Sequence, residues 1–172
     1  MVASVSIEKQ NEIDNRIDND IRLRISLSYP KNSLLDIAKG LGAEVVFIKF
    51  PKDGKEISGA IRWENGTAKI YINEEYSLVR RTFTLAHELG HFLLHPSENK
   101  WRIDYFDHAR TDQEAGQESE ANYFAASLLM PKGEFVRIQK LTKDNTSMLA
   151  EYFGVSESAV EVRRKWIQTN QN

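Results

Sequence analysis

An α+β fold, with a small twisted sheet packed on several helices and helical elements towards the C-terminal end, is the architecture this sequence predicts. Three observations carry it. Two strand-like runs flank Glu64-Asn65-Gly66, and Asn-Gly between such runs is a strong hairpin signal. Helix-periodic apolar stretches dominate after residue 76. A chain of 172 residues can bury one good core and has little room for two.

Taken in order, residues 1–29 read as a polar N-terminal extension, frayed or partly helical over 7–20, with no function attached to it. The remainder, 30–172, is expected to form one domain. Residues 33–42 predict a short helix capped by Asn32 or Ser33 and ended by glycine. A strand rich in Val, Ile and Phe follows at 44–50, then the hairpin strands 57–63 and 67–73, expected to pack on the next helix. Helices are predicted at 76–94, 113–129, 132–139, 147–153 and 156–168. The first two are joined by a polar stretch, 96–112, carrying Trp101, Tyr105, Phe106 and His108; a loop of that length is a lid or binding wall, or else a surface segment pinned by its aromatics.

Composition narrows the chemistry. The absence of cysteine removes disulfides and thiolate ligands together, leaving histidine and carboxylate as the strong metal ligands. No apolar run approaches membrane-spanning length, and residues 1–20 contain no apolar signal core, so a soluble cytoplasmic protein with no membrane partner is expected. A formal net charge of -2 gives no support for a nucleic-acid surface.

Chemistry concentrates in His87-Glu88-Leu89-Gly90-His91. Residues four apart share a helix face, so His87 and His91 can reach one ion while Glu88 points to its edge. Zinc, one ion per chain, is the metal this pattern suits, with a third protein ligand and one position kept for water, whose proton Glu88 would take. The flanking Phe83-Thr84-Leu85-Ala86 and Phe92-Leu93-Leu94 bury the pair in apolar surroundings, where unpartnered imidazoles would be costly. Gly90 in a helix interior costs about 1 kcal/mol against Ala, which points to a close backbone approach.

A third histidine six residues past His91 would mark a metzincin arrangement, but Ser97 stands there. A glutamate on a second helix is the other common solution. At 100° per residue, Glu118, Asn122, Ala125 and Leu129 form one inward stripe, whereas Glu120 falls at the border with Tyr123 and Ser127, where a solvated carboxylate is expected, and Glu114 precedes the apolar periodicity. Glu118 is therefore the favoured ligand, with Asn122 placed to brace a ligand from one turn on. His95 continues the histidine row but ends the helix at Pro96, where contact with the last carbonyls is the expected role. His108, Tyr105, Tyr71 and Tyr76 are the candidates for stabilising an oxyanion, and His108 is the one expected to join Glu88 as a catalytic residue.

Two runs together, Phe83-Thr84-Leu85-Ala86-His87-Glu88-Leu89-Gly90-His91-Phe92-Leu93-Leu94-His95 and Glu118-Ser119-Glu120-Ala121-Asn122-Tyr123-Phe124-Ala125-Ala126-Ser127-Leu128-Leu129-Met130-Pro131, resemble the ImmA/IrrE family of zinc metallopeptidases. The resemblance extends more weakly through Ile57-Ser58-Gly59 and Leu149-Ala150, covering roughly 30–168. It implies a gluzincin-like site in 30–172 and cleavage of an intracellular repressor or regulator, often a helix-turn-helix protein encoded beside the peptidase. Some members of that family are instead associated with toxin-antitoxin pairs, so a toxin component or a non-catalytic partner-binding protein is the alternative.

A rival from another class sits at 147–168, whose spacing and turn glycine Gly154 are those of a helix-turn-helix. Charge argues against DNA binding: from 147 to 172 three basic residues meet three acidic ones, and a reader of phosphates needs a positive excess. The expectation is a helical pair that packs on the rest of the domain or meets a partner. Nothing in the sequence fixes the oligomeric state.

Overall fold

The computed structural model describes residues 5–23, 34–51, 56–64, 67–95, 102–105 and 112–169. Its helices are α1 (Ile7–Arg16), continued by a π-helical stretch (Ile17–Leu23), α2 (Leu34–Gly40), α3 (Leu78–Leu94), α4 (Asp112–Leu129), α5 (Lys132–Leu141), α6 (Thr146–Phe153) and α7 (Glu157–Thr169). The strands are β1 (Ala43–Ile48), β2 (Ile57–Glu64), β3 (Thr67–Asn73) and β4 (Arg102–Tyr105), in the order β1-β3-β2-β4. The fold is α+β. None of the described helices is long and apolar enough to cross a membrane.

β2 and β3 form the antiparallel pair expected, with Glu64 opposite Thr67, so that only Asn65 and Gly66, which lie outside the described residues, connect them. β1 runs parallel to β3 on one side, and β4 antiparallel to β2 on the other. Period-2 alternation buries Ala68, Ile70 and Ile72 of β3 in the same core as Leu85, Ala86 and Leu89 of α3. Across the hairpin Gly59, Ile61 and Trp63 stand opposite Ile72, Ile70 and Ala68, and Trp63 stacks on Phe92 of α3 at 5.2 Å. The hairpin thus packs on α3, as its pattern predicts.

Two features depart from expectation. A strand, β4, emerges from the connection read as a lid or wall; four residues were too short to stand out. Part of the polar N-terminal stretch is core: Ile13, Ile17 and Ile21, one turn apart, are buried, while Ser6 caps α1 by accepting from the Lys9 amide at 3.2 Å. α1 lies along α4, where the Tyr123 hydroxyl donates to Asp14 at 3.0 Å, and Arg16 donates to the Leu93 carbonyl at the end of α3.

At the C-terminal end, Asn145 caps α6 through the Met148 amide at 3.0 Å, and Gly154 ends it in the left-handed conformation at φ 64°. α7 packs on α4: Trp166 meets Tyr123 ring to ring at 5.1 Å. Arg163, buried, donates to the Met130 carbonyl at 3.0 Å and to Ser127 Oγ at 2.7 Å.

Candidate metal centre

α3 carries the histidines because Ser77 caps its start and an apolar face at helical spacing, Leu85, Ala86 and Leu89, drives it against the sheet. α3 also packs on α4, and these two helices approach closely. A Cβ on Gly90 would lie 3.1 Å from Ala121 Cα and 3.2 Å from its carbonyl oxygen, so the glycine admits the neighbouring backbone. That contact sets Glu118 and Asn122, on the turns around Ala121, opposite His87 and His91.

The resulting cluster is tight. Nε2 of His87 and Nε2 of His91 face each other at 2.9 Å. Glu118 Oε2 stands 3.3 Å from the first and Oε1 3.6 Å from the second. One ligand atom from each of the three residues falls within 4.8 Å of the others, and they are the one group of its kind among the described residues. Burial raises the Glu118 carboxyl, but when the two rings are protonated their hydrogen bonds and charge outweigh it and hold the group well below the ordinary carboxylate range; the neutral rings that a metal needs exert no such pull.

Asn122 supplies the remaining constraint. Its Oδ1 meets His87 Nδ1 at 3.0 Å, and because a carbonyl oxygen only accepts, the ring proton belongs on Nδ1. His87 then turns an unprotonated Nε2 towards His91 and Glu118. Two imidazole nitrogens and one carboxylate, with no sulfur, suit zinc and leave a fourth position for water or substrate.

Glu88, between the histidines, is fully buried, and its carboxylate lies along β2 at Gly59. Glu120 does not join the cluster: its Oε2 lies 3.5 Å from His95 Nε2 and 3.6 Å from Lys9 Nζ. The expectation of a freely solvated Glu120 is therefore corrected, since α1 reaches that side of α4. His95 caps α3, its ring directed to Glu120 instead of the last carbonyls.

The oxyanion candidates are scattered. His108 lies outside the described residues, as do Trp101 and Phe106; Tyr105 pairs through its backbone with Ile57. Tyr71 alternates with the buried Ile70 and Ile72 and so falls on the other face of the sheet. Tyr76 is engaged, its hydroxyl donating to Glu56 at 3.4 Å with the Arg80 guanidinium 3.5 Å above its ring. Gly59 enters the sequence only as part of the resemblance at Ile57-Ser58-Gly59, because a glycine in a strand does not announce from one sequence what approaches it.

Comparison with known proteins agrees with this geometry. A family model described as the IrrE N-terminal-like domain, of the M78 peptidases, matches residues 38–165. An uncharacterised immunity region protein 2 of Bacillus phage phi105 is 39% identical over 76 residues, which is 44% of this chain and 46% of that protein. A solved structure of a Mycobacterium tuberculosis transcriptional regulator superposes with a TM-score of 0.58 at 18% identity, covering 89% of this chain and 44% of that one, which is a likeness of fold. The chain thus spans less than half the length of either.

Proposed function

The chain belongs to the IrrE N-terminal-like peptidase family, and from that footing we propose that it is a zinc-dependent endopeptidase that cleaves a protein regulator. The observation that carries the reading is the convergence of His87, His91 and Glu118, with Asn122 Oδ1 set against His87 Nδ1. These three residues would hold one zinc ion. Bound there, zinc polarises a scissile carbonyl and makes a neighbouring water acidic enough to yield its proton near neutral pH.

The chain's own residues supply the rest. Glu88 accepts the proton of the attacking water and returns it to the leaving amine. Its burial keeps the carboxylate out of bulk solvent. Asn122 keeps the His87 ring in the tautomer and orientation a ligand needs. Neither hairpin strand is free to pair with an extended substrate, because β3 lies between β1 and β2 and β2 between β3 and β4. Backbone pairing with an extended substrate falls instead to an edge strand, and β4, whose Asp104 stands opposite Gly59, is the edge on the side of Glu88.

A regulator as substrate is supported by the phage relative, whose name places it in an immunity region. Direct DNA reading fits the chain poorly. Arg163 is buried in contacts with α4, and Arg164 is held by Asp144 at 2.9 Å and Glu161 at 2.6 Å. The test is to incubate the zinc-loaded chain with any helix-turn-helix regulator found encoded beside its gene and to follow the products by mass spectrometry. Discrete fragments that disappear with a chelator support the proposal. An intact regulator bound tightly would mean a non-catalytic partner-binding protein.

A further inference from the structure

A glycine inside a strand forfeits packing and backbone entropy, so it calls for a reason. Gly59 of β2 has none in its own conformation: among the described glycines, positive φ is confined to Gly42 and Gly154. The reason is space. A Cβ built on Gly59 would lie 2.5 Å from Glu88 Oε1 and 2.8 Å from Thr84 Cγ2, contacts that real side chains do not make, and a tight 3.2 Å from Glu88 Cδ.

The strand cannot retreat from that contact. Gly59 stands in register with Ile72 on one side and Asp104 on the other, at an irregularity in the β2–β4 pairing between Ile57 and Gly59. Its neighbours are tied as well: the Ile57 carbonyl accepts from Asn73 Nδ2 at 2.9 Å, and Ser58 Oγ from Arg80 Nη2 at 3.1 Å. Arg80, Thr84 and Glu88, four residues apart on α3, thus face Ser58 and Gly59 in sequence along one stripe. Thr84 Cγ2 is one side-chain torsion from its backbone and Glu88 Oε1 is three, so the movable partner is the far end of Glu88.

We propose that Gly59 is the positioning residue for Glu88: the bare backbone of β2 seats the carboxylate, and any side chain at 59 displaces it from the place where it accepts a proton. The inference rests on the catalytic reading of Glu88. It adds a determinant that lies on a different element from every candidate ligand.

The test uses the full chain in two measurements. Thermal melting of the zinc-loaded wild type, Gly59→Ala, Glu88→Ala and the double variant forms a cycle. The midpoint should fall in Gly59→Ala, and most of that fall should vanish when Glu88 is Ala. If Gly59→Ala alone yields no folded protein, the double variant decides, because its recovery supports the proposal and its failure overturns it. An equal fall in both backgrounds, or relief by Thr84→Ser but not by Glu88→Ala, would also overturn it.

The second measurement loads the chain with Co2+ and follows its visible absorption bands with pH. Gly59→Ala should bind the same amount of metal, since the candidate ligands sit on α3 and α4, and should move the pH midpoint in the direction that Glu88→Gln moves it. A midpoint that stays at the wild-type value in Gly59→Ala but moves in Glu88→Gln would reduce Gly59 to a packing role. A wild-type chain that cut no regulator would remove the peptidase reading while leaving the melting cycle as it stands, so the two failures are distinguishable.

Discussion

Ala121 of α4 crosses Gly90 of α3 so closely that a Cβ on the glycine would lie 3.1 Å from Ala121 Cα, tighter than nearly all real Cβ contacts. Helix propensity alone favours Gly90→Ala by about 1 kcal/mol. Because the added methyl meets backbone, the variant should instead melt below the wild type and hold zinc more weakly, as Glu118 and Asn122 are pushed back from the histidines. Parallel melting curves and zinc titrations check this; a variant that is both more stable and equally metal-bound would show that the helix spacing is not critical.

Glu118 and Glu120 are two residues apart on α4 and have different partners, the first His87 and His91, the second His95 and Lys9. Glu118→Ala should lose most of its zinc and Glu120→Ala should retain it. Metal analysis after gel filtration decides, and equal retention by both would sink the ligand assignment.

Asn122→Ala should weaken zinc binding by about 10- to 100-fold without removing a ligand, because the His87 ring loses the acceptor that sets its tautomer. Competition against a chelator of known affinity measures it. An unchanged dissociation constant would make the 3.0 Å contact to His87 incidental.

Arg163 should matter for folding and not for DNA. Its removal strands the Met130 carbonyl and Ser127 beneath α7, at a cost on the order of 2 kcal/mol, whereas Lys165→Ala, on the exposed side, should change little. A mobility-shift assay on the gene's upstream region at physiological salt should show no discrete complex with the wild-type chain. A specific band would mean that the last two helices read DNA.

Much of this arrangement is legible in the sequence where period and pattern are local. The hairpin strands around Asn65-Gly66, the helix with His87 and His91, and the inward stripe of Glu118 and Asn122 all follow from spacing. What escapes is decided by distant neighbours. Tyr123 and Ser127, which the stripe places at its border with Glu120, are buried because α1 and α7 enclose α4. The row Ile13, Ile17 and Ile21 repeats at helical spacing, yet the charged residues between its members disguise it as a tail. β4 exists as a strand through its pairing with β2, and the need for glycine at 59 is visible only once α3 is laid across the sheet.

The central claim is that Glu88 acts as the proton acceptor of a peptidase, and Glu88→Gln addresses it most directly. The amide is nearly isosteric and cannot take the proton, so the variant should fold, carry zinc at the wild-type level and bind the neighbouring regulator, yet leave it uncut over times in which the wild type cleaves it completely. Cleavage by Glu88→Gln at a rate close to wild type would contradict the account.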